Sequence, residues 1–561
     1  MTGRKILGIV LVSILTVVGG QNRVLAREDL PMFIKDYPLI SLPHMQLPLF
    51  SLPVSYNVKT MTLPRMERAI PVGSSLLGWI RSNISSETGM FLSFQVLPEE
   101  KDLVYANMGQ ADSVEGIIER TIVENGVVIY DGAVGQIALT LSGREEDLRL
   151  AEKPLDIYWN GALKNLANIR AGYLNDNFVY DPKDPQAVSS DPGDKGRRGF
   201  IFRIINAHGD YLSADPLDGK TQFAGFPTWK DIHWEDWKPV AGENAWVVMA
   251  AMRVYHQKYF DVRNNQYLKA DGSIELRLAE ELARAALMLQ AENGGIRMAP
   301  LGTFRENESD SSAVPGSWWY NQISTENNLS WYSAFRMLYQ VTQKDEYLKA
   351  MARMEGYFQQ IFDPQGRFFY QGMNYGNGTW KVNATDFAVD VQTWGILALG
   401  PQTIDQWFGK GAAYAAWQKV KAESATRDAS GQLAGVGYTT ETGRISVEWT
   451  AGAIMAARQL AGYYGPGNAE LGMLLTADAN EMRSGMELLR RTLPAGRAAY
   501  SYSSKRGWIP FGWNSHDPRV MSLASTGWML FVDQDFNPFV INGSAAMESK
   551  PADSRLAQVV R

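Results

Sequence analysis

Six carboxyl side chains stand at or near the starts of apolar, helix-like stretches of this 561-residue sequence: Asp131, Glu243, Glu326, Asp386, Asp390 and Glu448. Paired carboxyls suit cleavage of a C–O bond, since one kept protonated can donate to a departing oxygen while one kept ionised serves as base or nucleophile. Their neighbours are aromatic: Tyr130 adjoins Asp131, Trp318-Trp319-Tyr320 precede Glu326, Trp394 follows Asp390 by four residues, and Trp449 follows Glu448. Rings beside carboxyls fit a sugar, whose C–H faces stack on a ring while its hydroxyls meet polar groups. Contacts to such a ligand are expected from Tyr130, Asn244, Trp318, Trp319, Asn327, Gln392, Trp394, Trp449, Trp513 and His516. Glu326 is the expected proton donor, because Asn327 and Asn328 give hydrogen-bonding company while the nearby aromatic bulk desolvates it; Asp131, Asp390 and Glu448 qualify as its partner. Asp386 and Asp390, read as one turn apart on one helix face, would each disfavour ionisation of the other. A structural reading competes, since the helix dipole and capping boxes also favour first-turn acids, and Ser324 and Ser446 are suitable caps.

What must position these residues is a repeat. Six segments begin polar or acidic and run into small and apolar residues: Tyr130-Asp131-Gly132-Ala133, Glu243-Asn244-Ala245-Trp246, Ser324-Thr325-Glu326-Asn327-Asn328, Asp386 to Asp390 with Gln392-Thr393-Trp394, Ser446-Val447-Glu448-Trp449-Thr450, and Ser525-Thr526-Gly527-Trp528. Each is preceded by an amphipathic candidate helix, clearest in 275–292 and in 345–361, where Leu348, Met351, Met354, Phe358 and Ile361 keep a 3.6-residue period. Helices apolar all round must be buried and amphipathic ones can cover them, so the pattern predicts an all-α fold, an (α/α)6 toroid of six hairpins. Alternating hairpins run every inner helix the same way, which brings the six acid-led or Ser-led starts to one rim.

The motif set resembles the bacterial six-hairpin glycosidase superfamily. The resemblance is carried by Tyr130-Asp131, Ser324-Thr325-Glu326-Asn327, Asp390-Val391-Gln392-Thr393-Trp394-Gly395, Val447-Glu448-Trp449-Thr450-Ala451 and the closing Phe536-Asn537-Pro538-Phe539. It implies the toroid and an activity that hydrolyses, cleaves or epimerises glycans; it assigns no catalytic role to a particular residue. Hydrolysis outranks β-elimination, because an acidic site repels a polyuronate, and a neutral or amino-sugar polysaccharide is the expected substrate. Inversion is expected, since helix starts on different sides of a wide mouth hold their acids far apart. The rival from another class is a non-catalytic glycan-binding or exopolysaccharide export or assembly factor on the same toroid.

Composition narrows the rest. A net charge of −6 without a basic run argues against nucleic acid. The absence of cysteine excludes disulfides, thiolate metal sites and a cysteine nucleophile. None of the five His falls in a metal-ligand pair, no Gly-x-Ser-x-Gly or phosphate-cradling loop occurs, and neither metal nor cofactor is expected. Residues 1–26 read as a secretory signal, with Arg4 and Lys5, the apolar run Ile6 to Val18, and Val24-Leu25-Ala26 before the cut, so the mature protein is expected to be periplasmic or secreted, without stable membrane insertion. Residues 27–100 read as an extended arm, 28–71 holding seven of the 25 prolines; 101–545 form the toroid and 546–561 a tail. Three long connections, 170–240, 298–323 and 500–520, carry Trp and acid clusters read as cleft walls, a lid and a substrate-contact loop. The acids at 176–194 lack an EF-hand pattern and read as an ordinary loop.

Overall fold

Val389–Leu399 is buried at every residue, and Ile129–Thr140 at all but one. A helix buried all round has to be surrounded by other helices. The structure, a computed structural model, describes residues 74–108, 114–163, 200–201, 203–206, 240–300, 317–511 and 513–543. In chain order the barrel helices are α1 (Ser75–Ser82), α2 (Ile129–Thr140), α3 (Glu145–Leu163), α4 (Ala241–Tyr259), α5 (Ile274–Met288), α6 (Thr325–Thr342) and α7 (Asp345–Gln360). They continue with α8 (Val389–Leu399), α9 (Pro401–Phe408), α10 (Ala412–Ser424), α11 (Val447–Tyr464), α12 (Ala469–Met486) and α13 (Leu523–Gln534).

Helix α2 packs on α4, α4 on α6, α6 on α8, α8 on α11, α11 on α13, and α13 back on α2, which closes a ring of six inner helices. Around it lie α1, α3, α5, α7, the broken pair α9 and α10, and α12, each against its inner neighbour. The covering helices bury one stripe: α7 turns Tyr347, Leu348, Ala350, Met351, Met354, Tyr357 and Phe358 inward. The chain is an (α/α)6 toroid.

The first outer helix corrects the expected arm. Leu76, Leu77, Trp79 and Ile80 are buried on α1, and Phe94–Gln95 pair antiparallel with Met521–Ser522, so 75–100 belong to the barrel. The last Pro of the rich stretch is Pro71, and beyond it nothing prevents helix. The signal segment and most of the arm, the 170–199 and 207–239 connection, the Ser309-to-Ser312 hinge and the tail lie outside the described residues. Among the described residues, no helix is long and apolar enough to cross a membrane.

Short antiparallel strands lead directly into α2, α6 and α13, and the fourth residue of five inner helices clamps backbone packed at the helix start. In α4, Asn244 accepts from the Ile201 N–H and donates to the Ile201 and Val240 carbonyls. In α6, Asn328 does the same with Ile296 and Ser324, and in α8, Gln392 with Phe369 and Ala388. The Thr450 hydroxyl serves both backbone groups of Val436 in α11, and Thr526 in α13 accepts from the Tyr500 N–H. Each clamp satisfies backbone groups that would otherwise be buried unpaired.

The sixth residue fills the axis. Trp246, Trp394 and Trp528 come from alternate inner helices, while the intervening helices carry Val134, Ser330 and Gly452 at that level. The indoles of Trp394 and Trp528 stack at 5.5 Å, Trp246 meets them at 5.4 and 5.8 Å, and Phe539 packs 5.4–6.2 Å from all three. This aromatic plug closes the barrel. On its far side Arg253 and Arg336 donate to the carbonyls of Ile541 and Phe539, holding the C-terminal loop in place, and Arg458 donates to the Val532 carbonyl in the last turn of α13.

Candidate active site

The first turns of the inner helices meet above the plug. Tyr130 of α2 reaches past α13 to donate to Glu448 Oε1 of α11 at 2.5 Å, and its oxygen accepts from Trp528 Nε1 at 2.7 Å. Glu326 of α6 feels the charges of Asp390, Glu243 and Glu448, and Asp131 those of Glu448 and Glu243. Asp131, Glu243, Glu326, Asp390 and Glu448 thus share one rim, drawn from five inner helices.

Burial governs their ionisation. Asp131, Asp390 and Glu448 keep only 6, 6 and 7% of their surface exposed, and Glu326 faces the mouth with part of its surface wet. A helix N-terminus favours an anion, but here desolvation outweighs the dipole. It pushes Glu326 well above the usual carboxylate range, helped by Asp390 and Glu243, and against a single hydrogen bond from the Ser330 hydroxyl at 3.3 Å. Desolvation likewise raises Asp131 well above its ordinary value against a bond from Ser93, with Glu448 adding to the rise and Arg203 opposing it. Asp390 is pushed up to about 8 by burial, against a bond from the Val391 N–H. Glu448 rises to about 7, burial being opposed by the Tyr130 hydroxyl.

Capping explains only part of this set. In α6 and α11 the caps are Ser324 and Ser446, whose hydroxyls accept from the N–H groups of Asn327 and Trp449, so neither Glu326 nor Glu448 is needed there. Asp390 does bond its own first turn, and Glu243 pairs with Arg203 at 3.1 Å. Asp386 is no rim acid: α8 starts at Val389, and Asp386 lies in the loop before it, beside the Thr385 hydroxyl. The expected one-turn pair of Asp386 and Asp390 does not form.

Several expected ligand contacts are structural. Asn244 and Gln392 are fully buried and held by the strand clamps, and Trp394 belongs to the plug with 3% exposure. Asn327 sits over Gly242 of α4, where a Cβ would come within 2.1 Å of its Oδ1; its buried Nδ2 has no partner among the described residues. Trp449 is 5% exposed in an aromatic wall beside Glu448, 4.9 Å from Tyr438 and 6.0 Å from Phe511, and Trp513 continues this wall and donates to the Tyr502 hydroxyl at 2.8 Å. His516 is held by Glu119 at 3.1 Å and wedged between Phe94 and Tyr502, and Glu119 also binds Arg506. Trp319 is half-buried on the short helix Ser317–Tyr320; the Trp318 side chain lies outside the described residues. Among the described residues no group of His, Asp or Glu is arranged to hold a metal ion.

Three partners went unread in the sequence. Arg203, Ser93 and Glu119 touch site residues 40, 38 and 397 positions away, and only Arg203, a lone charge inside the apolar run Phe200 to Ile205, carried a visible signal.

No family model matches the sequence, and no curated protein is detectably similar to it. Solved structures are similar. Cellobiose 2-epimerase from Bacillus thermoamylovorans is 10% identical, covering 82% of this chain and 95% of its own, with a TM-score of 0.47. A D-mannose isomerase is 11% identical over 82% of this chain and 96% of its own, with a TM-score of 0.46. The GH76 α-mannanase of Bacteroides thetaiotaomicron is 12% identical over 86% and 95%, with a TM-score of 0.41. The closed ring of α2, α4, α6, α8, α11 and α13 by itself makes this chain a six-hairpin toroid.

Proposed function

We propose that the protein is an exported glycoside hydrolase that cleaves a neutral or amino-sugar polysaccharide by carboxyl acid–base catalysis. The observation that carries this reading is the rim itself: carboxyls gathered from separate helices, free of capping duty at Glu326 and Glu448, with burial pushing Glu326 well above the usual carboxylate range and Glu448 up to about 7. Hydrolysis needs one carboxyl holding a proton for the leaving oxygen and another ionised to activate water or attack the sugar. Glu326 suits the donor, because burial and three neighbouring acids keep its proton on. The partner comes from Asp131, Asp390 and Glu448. Helices α6 and α11 are separated by α8, which supports a wide spacing and an inverting reaction with water between the two groups. In the aromatic wall beside Glu448, Phe511 and Trp513 are the partly exposed rings a sugar could stack on, backed by the buried Tyr438 and Trp449. Export rests on the run Ile6 to Val18 and the small-residue site Val24-Leu25-Ala26.

The non-catalytic alternative draws on Glu243 and Asp390, which are occupied by Arg203 and by the α8 backbone. It leaves Glu326, whose helix is capped by Ser324, without a structural task. A panel of polysaccharides assayed for new reducing ends separates the two: wild-type turnover that falls by roughly 10²–10⁴ in Glu326→Gln supports hydrolysis, and a wild type that binds glycan without cutting it supports the alternative.

A further inference from the structure

The hydrogen bonds at the axis run in one direction. An indole N–H can only donate, so Trp528 must direct its hydrogen bond at the Tyr130 oxygen, 2.7 Å away. A phenol has one proton of its own. With Trp528 directed at its oxygen, Tyr130 sends that proton along its other short contact, 2.5 Å to Glu448 Oε1. Glu448 is therefore the acceptor at the end of a chain whose first member cannot reverse, and a carboxylate accepts more strongly than a carboxylic acid. The chain also links three inner helices, α13, α2 and α11, and the Tyr130 ring is held 5.0 Å from Trp246 and 6.3 Å from Trp394.

We propose that Tyr130 is a positioning residue: fixed by Trp528, it donates to Glu448 and selects that carboxyl, ahead of Asp131 and Asp390, as the anionic partner of Glu326. The proposal rests on the hydrolase reading for its chemistry, though not for its hydrogen bonding. The groups facing Glu448 are Tyr130 and Asp131 from α2, Glu326 from α6, Asp390 from α8, and the phenols Tyr438 and Tyr502. All are acids or neutral donors, so the anion at Glu448 depends on the bond from Tyr130. The other two candidates differ in the donor: Asp390 is bonded by the Val391 backbone N–H of its own first turn, and Asp131 by the Ser93 hydroxyl, which the Val128 N–H holds at 2.7 Å but which is a weaker donor than a phenol.

The test is a pH titration of carboxyl-¹³C-glutamate protein, with the Glu448 signal identified as the one lost in Glu448→Gln. Alongside it the acid limb of kcat/KM is measured on whichever polysaccharide the wild type cuts. In Tyr130→Phe the Glu448 titration and the acid limb should both move upward by about one to two pH units, the worth of one charge-assisted hydrogen bond. Trp528→Phe releases the phenol to reorient and should move both the same way by less. This second variant decides the matter if the first does not fold. A Glu448 titration that stays in place in the folded variants, even with a lowered Tm, would overturn the proposal, since a merely structural tyrosine predicts that result. A shifted titration in a protein that cuts no glycan supports the positioning role and counts against hydrolysis.

Discussion

At the plugged end of the barrel Arg253, Arg336 and Arg458 lie near the ends of inner helices with their guanidinium groups directed at named carbonyls, Arg253 being 1% exposed and bonded to Ile541 and Thr140. At the open end Glu326 has one long bond to Ser330, and Glu448 one phenol. The acids sit in first turns, where the helix dipole favours them, whereas the three arginines lie six residues before their helix ends, beyond the dipole's reach. What also separates them is how far each group's bonding capacity is used. The guanidinium groups hold chain in place, whereas the rim carboxyls have few partners and burial pushes them upward, Glu326 well above the usual carboxylate range and Asp390 to about 8. A buried polar group whose surroundings leave it underused is the one available for chemistry.

This contrast can be broken at either end. The largest effect on stability is expected from Arg253→Met, which leaves the Ile541 carbonyl and Thr140 hydroxyl without their donor and should cost about 2–4 kcal/mol in chemical denaturation. Turnover per folded molecule should be unchanged; a lost activity would mean that the two ends are not separable.

A smaller effect, with a sign set by pH, is expected at Asp390. Its carboxyl titrates at about 8 in the folded protein against 3.8 ordinarily, so the folded state holds more protons than the unfolded one between those values. Stability contributed by this group is fully present below about pH 4 and falls as pH rises toward 8. Thermal melts of Asp390→Asn should match the wild type near pH 4 and exceed it at pH 8. Equal melts at both pH values would remove the claim that the rim stores protons.

The smallest effect is expected at Asp386, which lies in the loop before α8: Asp386→Asn should change turnover by less than about twofold, under ~0.5 kcal/mol of barrier. A larger loss would return this residue to the site.

The ring of six was legible because stretches such as Val389–Leu399 are apolar on every face, and the caps Ser324 and Ser446 are where a hydroxyl before an apolar run should be. The rim acids were legible for the same reason, as each opens such a run. Misreadings arose where position within the first turn decides the outcome. Asn244 and Gln392 look like mouth-facing amides, yet the fourth residue turns toward backbone packed at the helix start, and the partners Ile201 and Phe369 lie 43 and 23 residues away in stretches too short to show a period. Trp394, one turn below Asp390, lies at the level where alternate helices supply bulk to the axis. His516 gave no sign of Glu119, 397 residues away. The helix start expected at Asp386 was three residues early, which created a carboxylate pair that the chain does not make.

The most direct test of the central claim measures turnover and melting temperature on the same preparation of Glu326→Gln at pH 8. The account predicts that release of reducing ends from the polysaccharide falls by roughly 10²–10⁴, because the amide cannot supply a proton. The melting temperature should stay level or rise, because a carboxyl that desolvation and neighbouring acids disfavour as an anion has been replaced by a neutral group of the same shape. Full turnover in Glu326→Gln, or a collapse in melting temperature with turnover per folded molecule intact, would contradict it.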